Sequence, residues 1–162
     1  MPDWYVVNAR EGEWRERGPR GRVKELVGGD DAQFGAYLFV LEPGQPMSMY
    51  HWEADQEGFL VLFGEALLIV EDEERTLRPW DYFHCPAPVP HTIVGAGSGP
   101  AAILAIGARE HQSGPGWGGY PYSDVAMRHD ASAEEETTSA KVAYARFPES
   151  EAAEYRDGWL PT

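Results

Sequence analysis

Histidine and carboxylate side chains cluster in one short part of the sequence, where His51, Glu53 and Glu57 follow one another closely. His51 and Glu53 are two residues apart, so an extended strand would point both side chains to the same face. Glu57 opens a strongly apolar stretch, and His91 follows in a later strand-like segment. Imidazole and carboxylate groups that converge on one face can hold a first-row divalent metal ion, and they are costly to bury otherwise. The sequence therefore predicts a metal site.

The spacing of these residues resembles the first sequence motif of the cupin superfamily. That motif runs from a glycine through a His-x-His pair and a glutamate to a second glycine. Gly44, His51, Glu57 and Gly64 stand at its positions, with one extra residue before the histidine. Glu53 stands where the second histidine is usual, so the sequence departs from the motif at one potential ligand.

A second cupin motif is matched in part further along the chain. Pro86 and His91 stand at its proline and histidine positions with the usual separation. Trp80, Pro88 and Gly95 occupy positions where the motif has Gly, Gly and Asn. The segment between the two motifs is about as short as the family allows, and it has room for one β-hairpin.

The resemblance covers roughly residues 35–107 and implies a small single-domain cupin. It implies an all-β fold, the double-stranded β-helix or jelly-roll barrel. It also implies one divalent metal ion per chain, which we expect His51, Glu57, His91 and a fourth ligand, Glu53, to hold. The resemblance does not imply a reaction, because cupins host many chemistries.

Glu53 leaves two alternatives for the metal site. As a ligand, it would bring a divalent ion bound by two neutral imidazoles and two carboxylates to formal neutrality, which weakens the Lewis acidity of the ion. Carboxylate oxygens also favour the harder ions Mn(II) and Fe(II) over Cu(II) and Ni(II), with Zn(II) still an alternative. If Glu53 only accepts a hydrogen bond, two histidines and one carboxylate leave open positions, which resembles the ligand set of several cupin dioxygenases.

Strand alternation predicts which other side chains share the face of the ligands. Met49, Phe59, Val61 and Ile93 have the same parity and are expected to line the pocket, and Gln56 is a candidate polar contact. Such a wall implies a small-molecule ligand that is mainly apolar or aromatic.

The net charge of the chain argues against some classes of binding partner. The chain of 162 residues has a formal net charge of −14, which argues against nucleic acid and anionic membranes as partners. The basic residues gather near the N-terminus among acidic ones, where they could form a patch for an acidic ligand. They are Arg10, Arg15, Arg17, Arg20, Arg22 and Lys24.

Other features of the composition predict a cytoplasmic protein. The single cysteine, Cys85, excludes an intrachain disulfide and suits a reducing compartment. No apolar run is long enough to span a bilayer. Residues 1–5 lack the basic and apolar regions of a signal peptide.

Three parts are expected along the chain. Residues 1–34 supply N-terminal strands and a loop that pack on the barrel, and residues 35–107 form the barrel with the metal site. Residues 108–162 form a loop rich in glycine and aromatic residues, followed by a tail of short helices.

Local signals suggest where individual elements begin. Strands are expected over residues 4–7 and 47–53. Helices are expected after Ser123 and Ser132, which can both act as N-caps, and over residues 149–156.

Two classes of function remain open. The first is a metal-dependent enzyme that acts on a small organic molecule, either dioxygenase-like or isomerase-like. No proton-transfer residue is identifiable from the sequence, so neither reaction is favoured. The second is a non-catalytic cupin that binds or senses a small molecule and carries a structural metal. A homodimer is expected in either case, as is common among proteins that resemble this one.

Overall fold

The computed structural model describes residues 4–112 and 114–162. Short antiparallel strands dominate the fold, which confirms the all-β prediction. Residues 1–3 of the expected N-terminal segment and residue 113 of the expected C-terminal loop lie outside the described residues.

The strands are β1 (Glu13–Glu16), β2 (Arg22–Val27), β3 (Phe34–Leu41), β4 (Trp52–Glu53), β5 (Glu57–Phe63), β6 (Glu65–Val70), β7 (Glu73–Leu77), β8 (Tyr82–Cys85), β9 (His91–Ala96), β10 (Ala101–Ala108), β11 (Gly118–Gly119) and β12 (Glu151–Glu154). They form a seven-stranded sheet in the order β12-β1-β2-β3-β10-β5-β8, a three-stranded sheet in the order β7-β6-β9, and a two-stranded ribbon of β4 and β11.

An apolar core joins the two larger sheets. Val61 and Ile103 contribute to it from the large sheet, and Leu68 and Ile93 contribute from the three-stranded sheet. Their side chains are almost fully removed from solvent, and each burial of this kind contributes about 1.5–3 kcal/mol. The core therefore fixes the two sheets relative to each other.

The segments on either side of the barrel strands extend the large sheet. β1, β2 and β12 lie beyond β3 in the sheet order. Trp14 of β1 is fully buried, and its ring packs edge to face on Trp159 with 5.3 Å between ring centres. The two ends of the described chain are thus packed together on one flank of the barrel.

The prediction of a helix over residues 149–156 is wrong. Glu151–Glu154 form β12, which pairs antiparallel with β1 along its whole length. The sequence Glu-Ala-Ala-Glu has a helical preference, but the edge of β1 offers unpaired backbone groups. Hydrogen bonding to that edge outweighs the local preference.

Two further strand predictions need correction. Residues 47–53 do not form a continuous strand, since only Trp52–Glu53 is regular and His51 makes an isolated bridge. Residues 4–7 are not in a strand, and their side chains are exposed.

Two four-residue helices lie in the C-terminal segment, α1 (Asp124–Met127) and α2 (Ala140–Ala143). As predicted, Ser123 caps α1, because its hydroxyl accepts the N–H of Ala126 at 3.1 Å. Ser132 does not cap a helix, since residues 133–136 are not helical and its buried hydroxyl accepts the N–H of Ser123. In residues 4–112 and 114–162, no helix has the length and apolar character needed to cross a membrane.

Replacing Trp14 with Ala is expected to lower the free energy of unfolding by about 3–5 kcal/mol, since it removes a buried indole and leaves a cavity against Trp159. Urea denaturation measures this change. Trp80→Ala is the control, because 74% of Trp80 is exposed, and it should change stability by less than about 0.5 kcal/mol. Equal losses in the two variants would contradict the packing described for this flank.

Candidate metal centre

His51 and His91 are held together by their backbones. The N–H of His51 donates to the carbonyl of His91 at 3.1 Å, and the N–H of His91 donates to the carbonyl of His51 at 2.8 Å. This reciprocal pair is an antiparallel bridge between the loop before β4 and the first residue of β9. Directly paired residues point their side chains to the same face, and the two rings lie 4.9 Å apart, centre to centre.

Glu57 reaches the histidines from the large sheet. It is the first residue of β5 and is paired with Cys85 of β8 and Gly107 of β10. Its Oε2 lies 3.1 Å from Nε2 of His91. One ligand atom from each of His51, Glu57 and His91 lies within 4.8 Å of the others, close to the spacing of about 3–4 Å for ligands that share one ion.

Both imidazoles turn Nε2 toward the group formed by His51, Glu57 and His91, because the Nδ1 atom of each ring is hydrogen-bonded to a backbone carbonyl. Nδ1–H of His51 donates to the carbonyl of Met49 at 2.8 Å, and Nδ1–H of His91 donates to the carbonyl of Val89 at 3.0 Å. A neutral ring held in this way leaves Nε2 free to bind a metal. Within the described part of the chain, His91 Nε2 and Glu57 Oε2 are buried, and neither has a hydrogen-bond partner apart from the 3.1 Å contact that they make with each other. This donor set fits a divalent metal ion.

The carboxylate of Glu57 and the protonated imidazole of His91 stabilise each other's charge. Burial alone would lower the pKa of His91, but the Glu57 carboxylate beside it outweighs burial and raises that pKa above 6.5. Burial would raise the pKa of Glu57, but His91 and His51 outweigh it and lower that pKa. A metal ion that binds here therefore competes with the proton on His91.

Cys85 lies against His91 but is not suited to be a ligand. Its Sγ is 3.2 Å from Nδ1 of His91, on the side of the ring away from Glu57. Burial, together with the charges of Glu57 and Glu53, raises the pKa of Cys85 to about 12. Its Sγ is not among the ligand atoms that lie within 4.8 Å of one another, so the geometry leaves the thiol outside the ligand group.

Glu53 lies beside the three-residue group but outside it. Its Oε1 is 3.3 Å from Nε2 of His51, yet its carboxylate is not part of the set within 4.8 Å. Glu53 lines the adjoining cavity. The structure thus brings together two histidines and one carboxylate, with a second carboxylate at their edge.

A cavity of about 290 Å³ adjoins the three residues. This volume is near the lower end of the range for small-molecule sites. Phe59 and Ile93, two of the predicted pocket residues, line the cavity. Tyr37 and Phe39 of β3 form part of another wall.

Three predicted pocket residues do not line this cavity. Met49 is fully buried and packs against Tyr120, because residues 47–51 are not a regular strand and the expected alternation is lost. Val61 lies in the core that joins the two sheets. Gln56 is exposed at the corner before Glu57.

Several cavity residues that the sequence pattern did not identify come from distant segments. Arg17 follows β1, Arg109 follows β10, and Tyr120 and Tyr144 belong to the C-terminal segment. Two sequence features could have pointed to some of these residues: the arginines near the N-terminus and the aromatic-rich loop. Neither feature shows where a side chain lies in the fold.

The C-terminal segment covers the histidines. The ring of Tyr120 stacks on His51 with 5.8 Å between centres and 27° between planes. The hydroxyl of Tyr144 accepts the N–H of Met49 at 3.0 Å. Burial raises the pKa of both tyrosines, so their hydroxyls remain protonated at neutral pH.

Comparisons with known proteins place this site in a known fold. Residues 37–107 match the family described as "Cupin domain". A cupin 2 domain-containing protein from Halorhodospira halophila is similar in structure, with a TM-score of 0.54 and 21% identity over 75% of this chain and 92% of that one. A Cupin 2 conserved barrel domain protein from Salinispora arenicola has a TM-score of 0.53 and 17% identity, over 67% of this chain and 89% of that one. These likenesses show the fold.

A sugar phosphate isomerase from Silicibacter pomeroyi is 31% identical over 49% of this chain, with a TM-score of 0.47. The chain spans 53% of the length of that isomerase. No curated protein matches the chain. The family match and the shared barrel confirm the resemblance seen in the two sequence motifs: residues 37–107 match the cupin domain, and they fold as a cupin barrel.

Proposed function

We propose that this protein binds one divalent metal ion through His51, Glu57 and His91 and acts on a small organic molecule in the adjoining cavity. The observation that supports this most strongly is a pair of ligand atoms, His91 Nε2 and Glu57 Oε2, that lie buried 3.1 Å apart with no other hydrogen-bond partner among the described residues. Buried polar atoms need bonding partners, and this pair can be completed by a proton on His91 Nε2 or by a metal ion. A metal ion does so for both atoms at once.

The donor set indicates the kind of ion. Two imidazoles and one carboxylate suit Fe(II) or Mn(II), and Zn(II) is the remaining alternative. An ion held by three protein ligands would keep coordination positions open and would polarise an oxygen atom of the bound molecule. A metal that only stabilises the fold usually has a closed shell of four protein ligands. The adjoining cavity therefore favours a site that meets a ligand over a purely structural metal.

The reaction that we propose is isomerase-like, a proton transfer next to a carbonyl group. Glu53 supplies the residue that such a reaction needs, since its carboxylate lines the cavity 3.3 Å from His51 Nε2 and outside the ligand group. A carboxylate in this position can take a proton from the bound molecule and return it. A dioxygenase-like reaction is the second candidate, because two histidines and one carboxylate with open positions also suit it.

We also propose that the protein forms a homodimer and is located in the cytoplasm, as the sequence predicts.

Elemental analysis of protein purified without added metal is expected to find about one Fe, Mn or Zn ion per chain. Glu57→Gln and His91→Ala should each reduce this content at least about tenfold, because they remove a ligand. His129→Ala is the matched control, since His129 pairs with Glu74 away from the site, and it should retain the metal. Full metal content in the His91 variant would contradict the ligand assignment.

Metal affinity is expected to rise with pH. The pKa of His91 is raised above 6.5 by Glu57, so the protein holds a proton there that the metal must displace. Affinity should therefore increase as the pH rises through the raised pKa of His91 and level off above it. Calorimetric titration of the metal-free protein with Mn(II) measures this. An affinity that does not change with pH would show that His91 is not a ligand.

Glu53→Gln is expected to distinguish the proton-transfer role proposed for Glu53 from the metal-binding role proposed for Glu57. It should keep the wild-type metal content, while the exchange of substrate C–H protons with D₂O should fall at least about 100-fold. Nuclear magnetic resonance can follow this exchange in a panel of small 2-oxo acids and hydroxyketones. Wild-type exchange in the variant would contradict the proton-transfer role, and oxygen consumption with these compounds would favour the dioxygenase-like candidate.

A further inference from the structure

Arg17 is a buried cation in the wall of the cavity. Only 9% of the residue is exposed, and it lines the same cavity as the histidines. Its Nη1 donates to the carbonyl of Met47 at 3.0 Å and its Nη2 donates to the carbonyl of Arg20 at 2.5 Å. Its guanidinium lies over the ring of Phe39, 4.9 Å from the ring centre. Within residues 4–112 and 114–162, Arg17 forms no ion pair with a carboxylate.

The charge of Arg17 is not explained by its protein contacts. Burial and the neighbouring Arg20 lower its pKa to about 10, so the group is still charged at neutral pH. A guanidinium has five N–H groups, and the two carbonyls account for two of them. Nε is buried and has no partner in the described part of the chain. Buried charges are normally paired, because an unpaired charge is strongly unfavourable.

Arg17 lies within reach of the candidate metal ligands. Met47, whose carbonyl binds Arg17, donates its own N–H to the carbonyl of Ile93 at 2.8 Å. Ile93 is two residues from His91 along β9, a distance of about 7 Å in a strand. Arg17, His51 and His91 also line the same cavity, so a small molecule bound there can contact the guanidinium and the histidine group.

A second arginine adds to the positive charge of the cavity. Arg109 lines it on the side of Gly35 and Tyr37, and the hydroxyl of Tyr37 accepts a hydrogen bond from its Nη2. Its Nη1 donates to the carbonyl of Gly29 at 2.8 Å. Like Arg17, it has no carboxylate partner among the described residues. The carboxylates of Glu53 and Glu57 also line the cavity, but they contact His51 and His91, so the two guanidinium groups favour an anionic group at their own part of the wall.

We propose that the molecule bound in this cavity carries a carboxylate or phosphate group and that Arg17 is the residue that binds this group. The inference extends the proposed function, because it assigns a chemical class to the substrate of the same site. An arginine fork matches both oxyanions, and its planar set of donors orients the molecule toward His51 and His91. The expectation of a mainly apolar or aromatic ligand is thereby revised to a small organic anion.

Ligand-observed nuclear magnetic resonance at constant ionic strength tests the proposal with three probes: acetate, inorganic phosphate, and acetamide as the uncharged match for acetate. Acetate or phosphate should bind the wild-type protein, and acetamide should bind at least tenfold more weakly than acetate. Arg17→Met should weaken anion binding at least tenfold, because a hydrogen-bonded charge pair is lost. Arg15→Met is the control, since Arg15 is half exposed and pairs with Glu13, and it should bind like the wild type.

The outcomes separate this inference from the metal proposal. If acetate is the better probe, the substrate carries a carboxylate, and if phosphate is better, it carries a phosphate. Anion binding that persists in His91→Ala and disappears in Arg17→Met would support Arg17 even if the protein proved to hold no metal. Unchanged anion binding in folded Arg17→Met would overturn the inference. If that variant does not fold, the Nε–H resonance of Arg17 in the wild type decides, since it should shift with acetate or phosphate and not with acetamide.

Discussion

The reciprocal backbone pair of His51 and His91 is the interaction on which the site depends. It joins a loop that has no regular strand structure to the first residue of β9. A shift of one residue in this pairing would turn one imidazole to the opposite face. Glu57 approaches from the other sheet, so the three ligand atoms meet only when both sheets pack on their common core. Fold stability and site geometry are therefore coupled.

The charge of the cavity contrasts with that of the whole chain. The protein has a formal net charge of −14, yet Arg17 and Arg109 line the cavity without carboxylate partners among the described residues. An acidic surface disfavours non-specific binding of anions, whereas Arg17 and Arg109 favour an anionic group at their part of the cavity, which Glu53 and Glu57 line elsewhere. Because the two arginines lie in the cavity and the surface is acidic, binding would be selective for a small anion in the cavity.

The barrel strands could be predicted from the sequence, because they depend on short-range alternation and turn residues. The grouping of His51 and Glu57 with the distant His91 was predicted from the resemblance to the two cupin motifs. The position of Met49 could not be predicted, since the bridge at His51 replaces the regular strand that the alternation assumed. Glu151–Glu154 form a strand because the edge of β1 is available to them, which no local pattern records. Arg17 enters the cavity through contacts with Met47 and Phe39, which are remote in sequence.

Anomalous X-ray diffraction from crystals of the purified protein, grown without chelator, tests the central claim most directly. The account predicts one strong peak about 2 Å from Nε2 of His51, Nε2 of His91 and the carboxylate of Glu57. Electron density without an anomalous signal between these three groups, or a metal peak at another place in the chain, would contradict it.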